Sequence, residues 1–171
     1  MISRPNARVA ALAAAALAIA PAAVAAQAPA ACPTPEQTPN PVPVRVRAPA
    51  AVLALRVART DATREYGLMC VRSLPADAGM IFVFAGGDSR QPFWMKNTLI
   101  PLDMVFVLKN GRVNNIDANV PATTVGTPDE RLPNYYGTGS YVIELNAGEA
   151  ERAGIVPGTV LDLSGVPPAK E

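Results

Sequence analysis

The sequence contains no histidine. A Ser-His-Asp triad, a Cys-His pair, a histidine-ligated metal and an imidazole pH switch are therefore all excluded. Lysine is scarce too, with only Lys96, Lys109 and Lys170, and the arginines are scattered along the chain. With 15 basic and 14 acidic residues in all, the chain carries no electrostatic footprint for nucleic acid. Cysteine is limited to Cys32 and Cys70. Beyond the N-terminus no run is long and apolar enough to span a bilayer.

The N-terminus itself is different. Arg4 and Arg8 stand without any acid before Val9 to Val24, a stretch of Ala, Leu, Ile and Val interrupted by Pro21. That is a positive segment followed by an apolar one, and the small residues at 23–26 suit cleavage near Ala25 or Ala26. Residues 1–26 are expected to be a secretory signal peptide, with an uncleaved anchor as the alternative, and the mature chain is expected to be exported, periplasmic or secreted. Loss of Arg4 and Arg8 takes the 15 basic residues to 13 against 14 acids, a net charge near −1. In an oxidising compartment two cysteines invite a bridge. The competing reading, favoured on local sequence, makes Cys70 a small buried hydrophobe behind Leu68-Met69 and Cys32 a free thiol in a Pro-rich tail. A lipid on Cys32 is disfavoured, because Pro29-Ala30-Ala31 lacks the expected leucine.

Residues 27–43, dense in Pro and Ala, cannot bury enough surface to order themselves and read as a linker. One β-rich domain over 44–171 is expected to follow. Val44 to Arg47 and Leu53 to Val57 alternate with period two, as strands with one wet face do. Thr60 to Gly67 supplies a polar N-cap, an early acid and a terminating glycine, predicting a short helix. Further strands are predicted at Gly79–Phe84, Phe93–Thr98, Leu102–Leu108, Arg112–Ile116, Tyr141–Leu145 and Thr159–Leu163, with a second short helix at Ala147–Ala153. Ala85–Pro92 and Asn119–Ser140 read as loops, and Asn110-Gly111 as a type I′ hairpin turn. The helices are too short for βαβ crossovers, so the expectation is an all-β sandwich or barrel.

Gly67-Leu68-Met69, Gly79-Met80-Ile81-Phe82, Phe93-Trp94-Met95-Lys96-Asn97-Thr98, Ile100-Pro101-Leu102-Asp103 and Glu144-Leu145-Asn146-Ala147-Gly148 occur in this order. Together they resemble the uncharacterised family called domain of unknown function 192, over about residues 53–163. The resemblance implies a compact β-sandwich or barrel of jelly-roll type, often exported, with no established activity or cofactor. One departure is local: Cys70-Val71 precedes Arg72, where family members commonly read Gly-Leu-Met-x-Arg. In a strand, that displacement would turn the arginine to the opposite face.

The segment Phe93–Thr98 carries the most chemistry. As a strand it would present Trp94, Lys96 and Thr98 on one face, a platform for a small polar ligand such as a sugar. The plainer reading makes Trp94 a core aromatic along which Lys96 snorkels to water. A chain reversal at Leu99-Ile100 would set Lys96 opposite Asp103, an acid at the start of a strand apolar on both faces and in need of Lys96 or Asn97 as partner. Glu144 likewise stands among β-prone apolar residues. The leading expectation is a non-catalytic domain binding a small polar ligand or a protein partner through Trp94, Lys96, Asn97 and Asp103, without cofactor or metal. A hydrolase using Asp103 and Glu144 as paired carboxylates is the first alternative, and a purely structural protein the second. Gly137 to Ser140 lacks the following helix of a phosphate loop, and Asn114, Asn115, Asp117 and Asn119 lack calcium-loop spacing, so these read as strand-edge and turn groups.

Overall fold

The computed structural model describes Cys32 and residues 43–170. The segment expected to be a signal peptide, residues 1–26, and most of the expected linker lie outside the described residues. Among the described residues eight strands form: β1 (Val44–Arg47), β2 (Val52–Ala58), β3 (Ala78–Val83), β4 (Ser89–Trp94), β5 (Leu102–Val107), β6 (Val113–Val120), β7 (Asn134–Gly139) and β8 (Tyr141–Asn146). Two short α-helices, α1 (Asp61–Tyr66) and α2 (Glu149–Arg152), and a single 3-10 turn at Asp129–Arg131 are the other elements among the described residues. No helix among the described residues is long and apolar enough to cross a membrane.

Six strands make one mixed sheet in the order β1-β2-β3-β8-β5-β6, and β4 and β7 pair separately as a two-stranded ribbon. The domain is mostly β, as expected, but the large sheet is mixed and open among the described residues, with β1 and β6 as its edges, so it closes no barrel. The side-chain alternation of each strand sorts the core into two layers. Leu55, Ile81, Ile143, Val105 and Val107 point to one face, where Ala150, Ala153, Ile155 and Leu161 from the C-terminal segment cover them. Met80, Phe82, Val142, Met104 and Phe106 point to the other, where Leu68, Phe93 and Met95 lie over them.

Several expectations are corrected. β2 and β3 run parallel, although the helices looked too short for a crossover. The whole connection of residues 59–77 makes the crossing, and α1 supplies only one part of it. Thr60 caps α1 through a reciprocal bond set with Thr63, which fixes where the helix begins. β4 starts at Ser89, inside the stretch read as a loop, and stops at Trp94; residues 95–98 form a turn in which Asn97 has φ 51°. β7 lies inside the long loop expected over 119–140, its strand character hidden by two glycines. Gly137 is required there, because a Cβ would stand 2.1 Å from the Phe106 ring over which the ribbon packs. Thr159–Leu163 contributes only the single bridge of Val160 to Arg112.

The turn at Asn110-Gly111 also differs. Only Gly111 has positive φ, at 83°, and its N–H donates to Leu108 O at 2.8 Å. Leu108 N–H then donates to Arg112 O at 2.8 Å, which makes a type I turn followed by a bulge at glycine.

Cys32 and Cys70 are joined in a disulfide across a sequence separation of 38 residues. The local reading of Cys70 as an isolated buried thiol is thereby overturned. Cys70 has φ 63° and its N–H donates to Asn97 O at 2.8 Å, so the backbone turns its side chain out of the core. Because the bond closes a loop of this length, we expect Cys32→Ser or reduction to lower unfolding free energy by about 2–4 kcal/mol. Guanidinium denaturation of the oxidised and reduced protein measures this, and coincident curves would show that the bridge adds nothing.

Candidate functional site

The ribbon and α1 together do not cover the second face of the sheet completely. Between them a cleft of about 210 Å³ remains, with Glu144 of β8 among its lining residues. Phe82 and Phe93 meet edge to face, with centroids 5.0 Å apart, and Phe84 meets Phe93 at 6.1 Å, giving the cleft an aromatic wall. Leu68 and Met69, which follow α1, line another side.

Glu144 sits in register between Met80 on β3 and Met104 on β5, so its side chain emerges on a face otherwise built of thioethers and aromatics. It is 5% exposed and has no hydrogen-bond or ion-pair partner among the described residues. No fully enclosed side-chain nitrogen or oxygen among those residues lacks a partner, so the carboxyl is not sealed in the core but opens on the cleft. Burial pushes its pKa up to about 8, because removing the carboxylate from water penalises the charged form. At neutral pH the group is a carboxylic acid, able both to donate and to accept a hydrogen bond.

Two cations stand among the cleft-lining residues, and both are engaged. Arg64 donates to Arg59 O and Val83 O, each at 2.9 Å, pairs with Asp61, and lies 5.4 Å from the Phe84 ring centre. Lys96 pairs with Asp129 at 2.9 Å and lies 5.0 Å from the Trp94 ring centre. Trp94 is 36% exposed and therefore is not the closed core aromatic of the plainer reading.

The residues singled out in the sequence divide into two groups. Trp94, Lys96, Thr98 and Glu144 come together on the cleft. Asn97 instead ties the turn: its Oδ1 accepts from Gly126 N–H at 3.0 Å and its carbonyl from Cys70 N–H. Asp103 points to the opposite face, 1% exposed, where its two oxygens accept from Asn119 N–H at 2.8 Å and Ala150 N–H at 2.9 Å. The expected Lys96–Asp103 pairing is absent, because β4 pairs with β7 rather than β5. Nor do Asp103 and Glu144 share a cleft, since adjacent register rows of one sheet point to opposite faces. Arg72 is exposed on a stretch that is not a strand, so the facing argument does not apply to it. The sequence reading missed Arg64 and Phe84. The helix cap of α1 was legible, but nothing local shows which part of the sheet the helix overlies.

Two expectations concern stability. Asp103→Ala removes the acceptor of two backbone N–H groups and should cost about 2–3 kcal/mol, whereas Lys96→Ala breaks only a surface pair and should cost under about 1 kcal/mol. Equal losses in chemical denaturation would overturn this division. Glu144→Gln should gain stability over the parent as pH rises. The folded pKa near 8 exceeds the ordinary value of 4.5, so the parent loses stability between those pH values while the glutamine variant does not. Melting curves from pH 5 to 8 measure the difference, and a constant offset would show that Glu144 is not held protonated.

No curated protein matches the chain. Two crystal structures do. One is a protein of unknown function from Novosphingobium aromaticivorans DSM 12444, 37% identical, covering 80% of this chain and 94% of its own, with TM-score 0.60. The other, from Sinorhizobium meliloti 1021, is named a candidate transcription regulator; it is 34% identical over 69% of this chain and 89% of its own, with TM-score 0.58. Of the five sequence segments that carried the resemblance, four contribute residues to the cleft: Gly67 to Met69, Phe82, the Phe93–Thr98 run and Glu144. The family match covers residues 43–163, starting ahead of β1 rather than at residue 53. The chain belongs to the uncharacterised ACR family, domain of unknown function 192.

Proposed function

We propose that this chain is exported and acts as a non-catalytic domain that binds a small polar ligand in the cleft above Glu144. The observation that carries the reading is the carboxyl itself. An unpartnered acid, nine-tenths buried between two methionines, is costly to the fold. Such groups persist where a bound molecule supplies the missing partner. The surroundings fit a small molecule: a concave, mostly apolar site with a few convergent polar groups. Trp94 and the phenylalanine wall offer apolar surface for one side of a ligand, and Glu144 offers hydrogen bonds to the other.

The two-carboxylate hydrolase receives no support, because its second acid is committed to backbone amides on the far face. A regulatory role on nucleic acid, as the name of the Sinorhizobium protein suggests for that protein, gains nothing from the near-neutral charge of this chain. Support for export rests on the N-terminal charge and apolar pattern.

Two measurements test these readings. The intact mass of the exported protein should correspond to a chain beginning at Ala26 or Gln27; retention of residues 1–20 would overturn export. In a thermal-shift screen against sugars, nucleotides, cell-wall fragments and metals, at least one small polar compound should raise the melting temperature of the parent and fail to do so for Glu144→Leu. A compound that stabilises both proteins equally binds elsewhere and would count against the cleft.

A further inference from the structure

The cleft as a ligand site is the premise here; its charge selectivity is a separate question. We propose that the ligand is an uncharged, hydroxyl-bearing molecule of about monosaccharide size, and that the cleft rejects cations and anions built on the same frame.

Each cation lining the cleft near Glu144 is already engaged elsewhere. On α1, Arg64 is spent on two backbone carbonyls, Asp61 and the face of Phe84, and Glu65 lies beside it. In the turn after β4, Lys96 is spent on Asp129 and Trp94. An anionic ligand would have to displace a charged partner from one of these cations. Along the sheet, the register row that contains Glu144 runs from Arg56 on β2 through Met80, Glu144 and Met104 to Asp117 on β6. Each ionic member is thus separated from Glu144 by an intervening methionine strand. The half-buried Arg56 has Tyr66 of α1 nearby.

Glu144 consequently faces no free countercharge among the described residues, and burial keeps its proton on up to a pH near 8. A carboxylic acid in this state presents a donor and an acceptor side by side, which suits the adjacent hydroxyl groups of a polyol. A cationic ligand would first have to take the proton from Glu144, and Arg64 and Lys96 in the lining would repel it. The aromatic wall accepts the C–H face that a pyranose ring presents, as aromatic side chains do for apolar surface in general.

Probes sharing one frame and differing in charge test the class. Glucose, galactose and N-acetylglucosamine serve as neutral probes, glucosamine as the cation and glucuronate as the anion, each titrated into the oxidised full chain at pH 6.5 and followed by NMR shift changes. At least one neutral sugar should bind, with both charged probes about tenfold or more weaker, the anion because it meets no free cation and the cation because its binding must first deprotonate Glu144. At pH 9.5 the neutral sugar should lose about tenfold or more as Glu144 ionises. Glu144→Gln should keep the sugar and lose that pH dependence, which separates ionisation at this group from a general effect of alkali. Tighter binding of glucosamine or glucuronate, abolished by Glu144→Leu, would overturn the uncharged class while leaving the cleft as a binding site. Failure of all five sugars would also overturn the class. If Glu144→Leu in addition leaves every thermal shift of the broad screen unchanged, the ligand-site reading falls with it.

Discussion

Everything in this fold follows from a six-stranded sheet whose central strands, β3, β8 and β5, are apolar on both faces and must be covered on both. β5 makes the constraint plain, since all six of its residues are buried. An antiparallel meander with one wet side would have no such need. On the first face the cover is supplied by the chain after β8, where α2 and the segment to Leu161 lay small and branched side chains over the strands. On the second face the cover is the β4–β7 ribbon, α1 and the residues just after it. These pieces come from distant parts of the chain and meet imperfectly, and the gap between them is the cleft.

The same constraint explains why two acids with similar local sequence have opposite fates. Asp103 and Glu144 both interrupt apolar strands near the middle of the sheet. Asp103 falls on the face where α2 begins, and the N–H of Ala150 together with that of Asn119 satisfies its oxygens. It is a structural anchor, joining β5 to α2 and to the end of β6. Glu144 falls on the face where the cover has a gap, and its carboxyl meets only apolar neighbours and the opening. Burial without a partner then raises its pKa, and the group waits as a neutral acid. The free-energy cost of one acid is relieved within the fold, while that of the other is left for a ligand to relieve.

The disulfide belongs to this arrangement as well. Cys70 directly follows Met69 of the cleft lining, and its N–H is held by the carbonyl of Asn97, in the turn that also carries Lys96. The bridge therefore holds Cys32 beside Met69 and the edge of the cleft. Asn97, read from sequence as a ligand group, is better understood as the residue that makes this turn possible: it accepts a left-handed backbone more readily than most residues, and its amide oxygen fastens the loop at Gly126.

Local physics made much of this legible in the sequence alone. Period-two runs placed β1 and β2, continuous apolar β-prone runs placed β3, β5 and β8, the Thr60 cap and Gly67 framed α1, and Asn110-Gly111 marked the β5–β6 turn, because each signal is written in residues close together in the chain. The family resemblance was legible for the same reason, in short ordered motifs. Tertiary structure alone decided that β4 pairs with β7, that β2 and β3 run parallel, that Cys70 is bridged, and that Asp103 and Glu144 point to opposite sides. These are choices of partner between segments far apart in sequence. A strand's pattern says which residues share a face, but only the assembled sheet says what lies over that face, and that determines whether a buried acid becomes an anchor or a binding group.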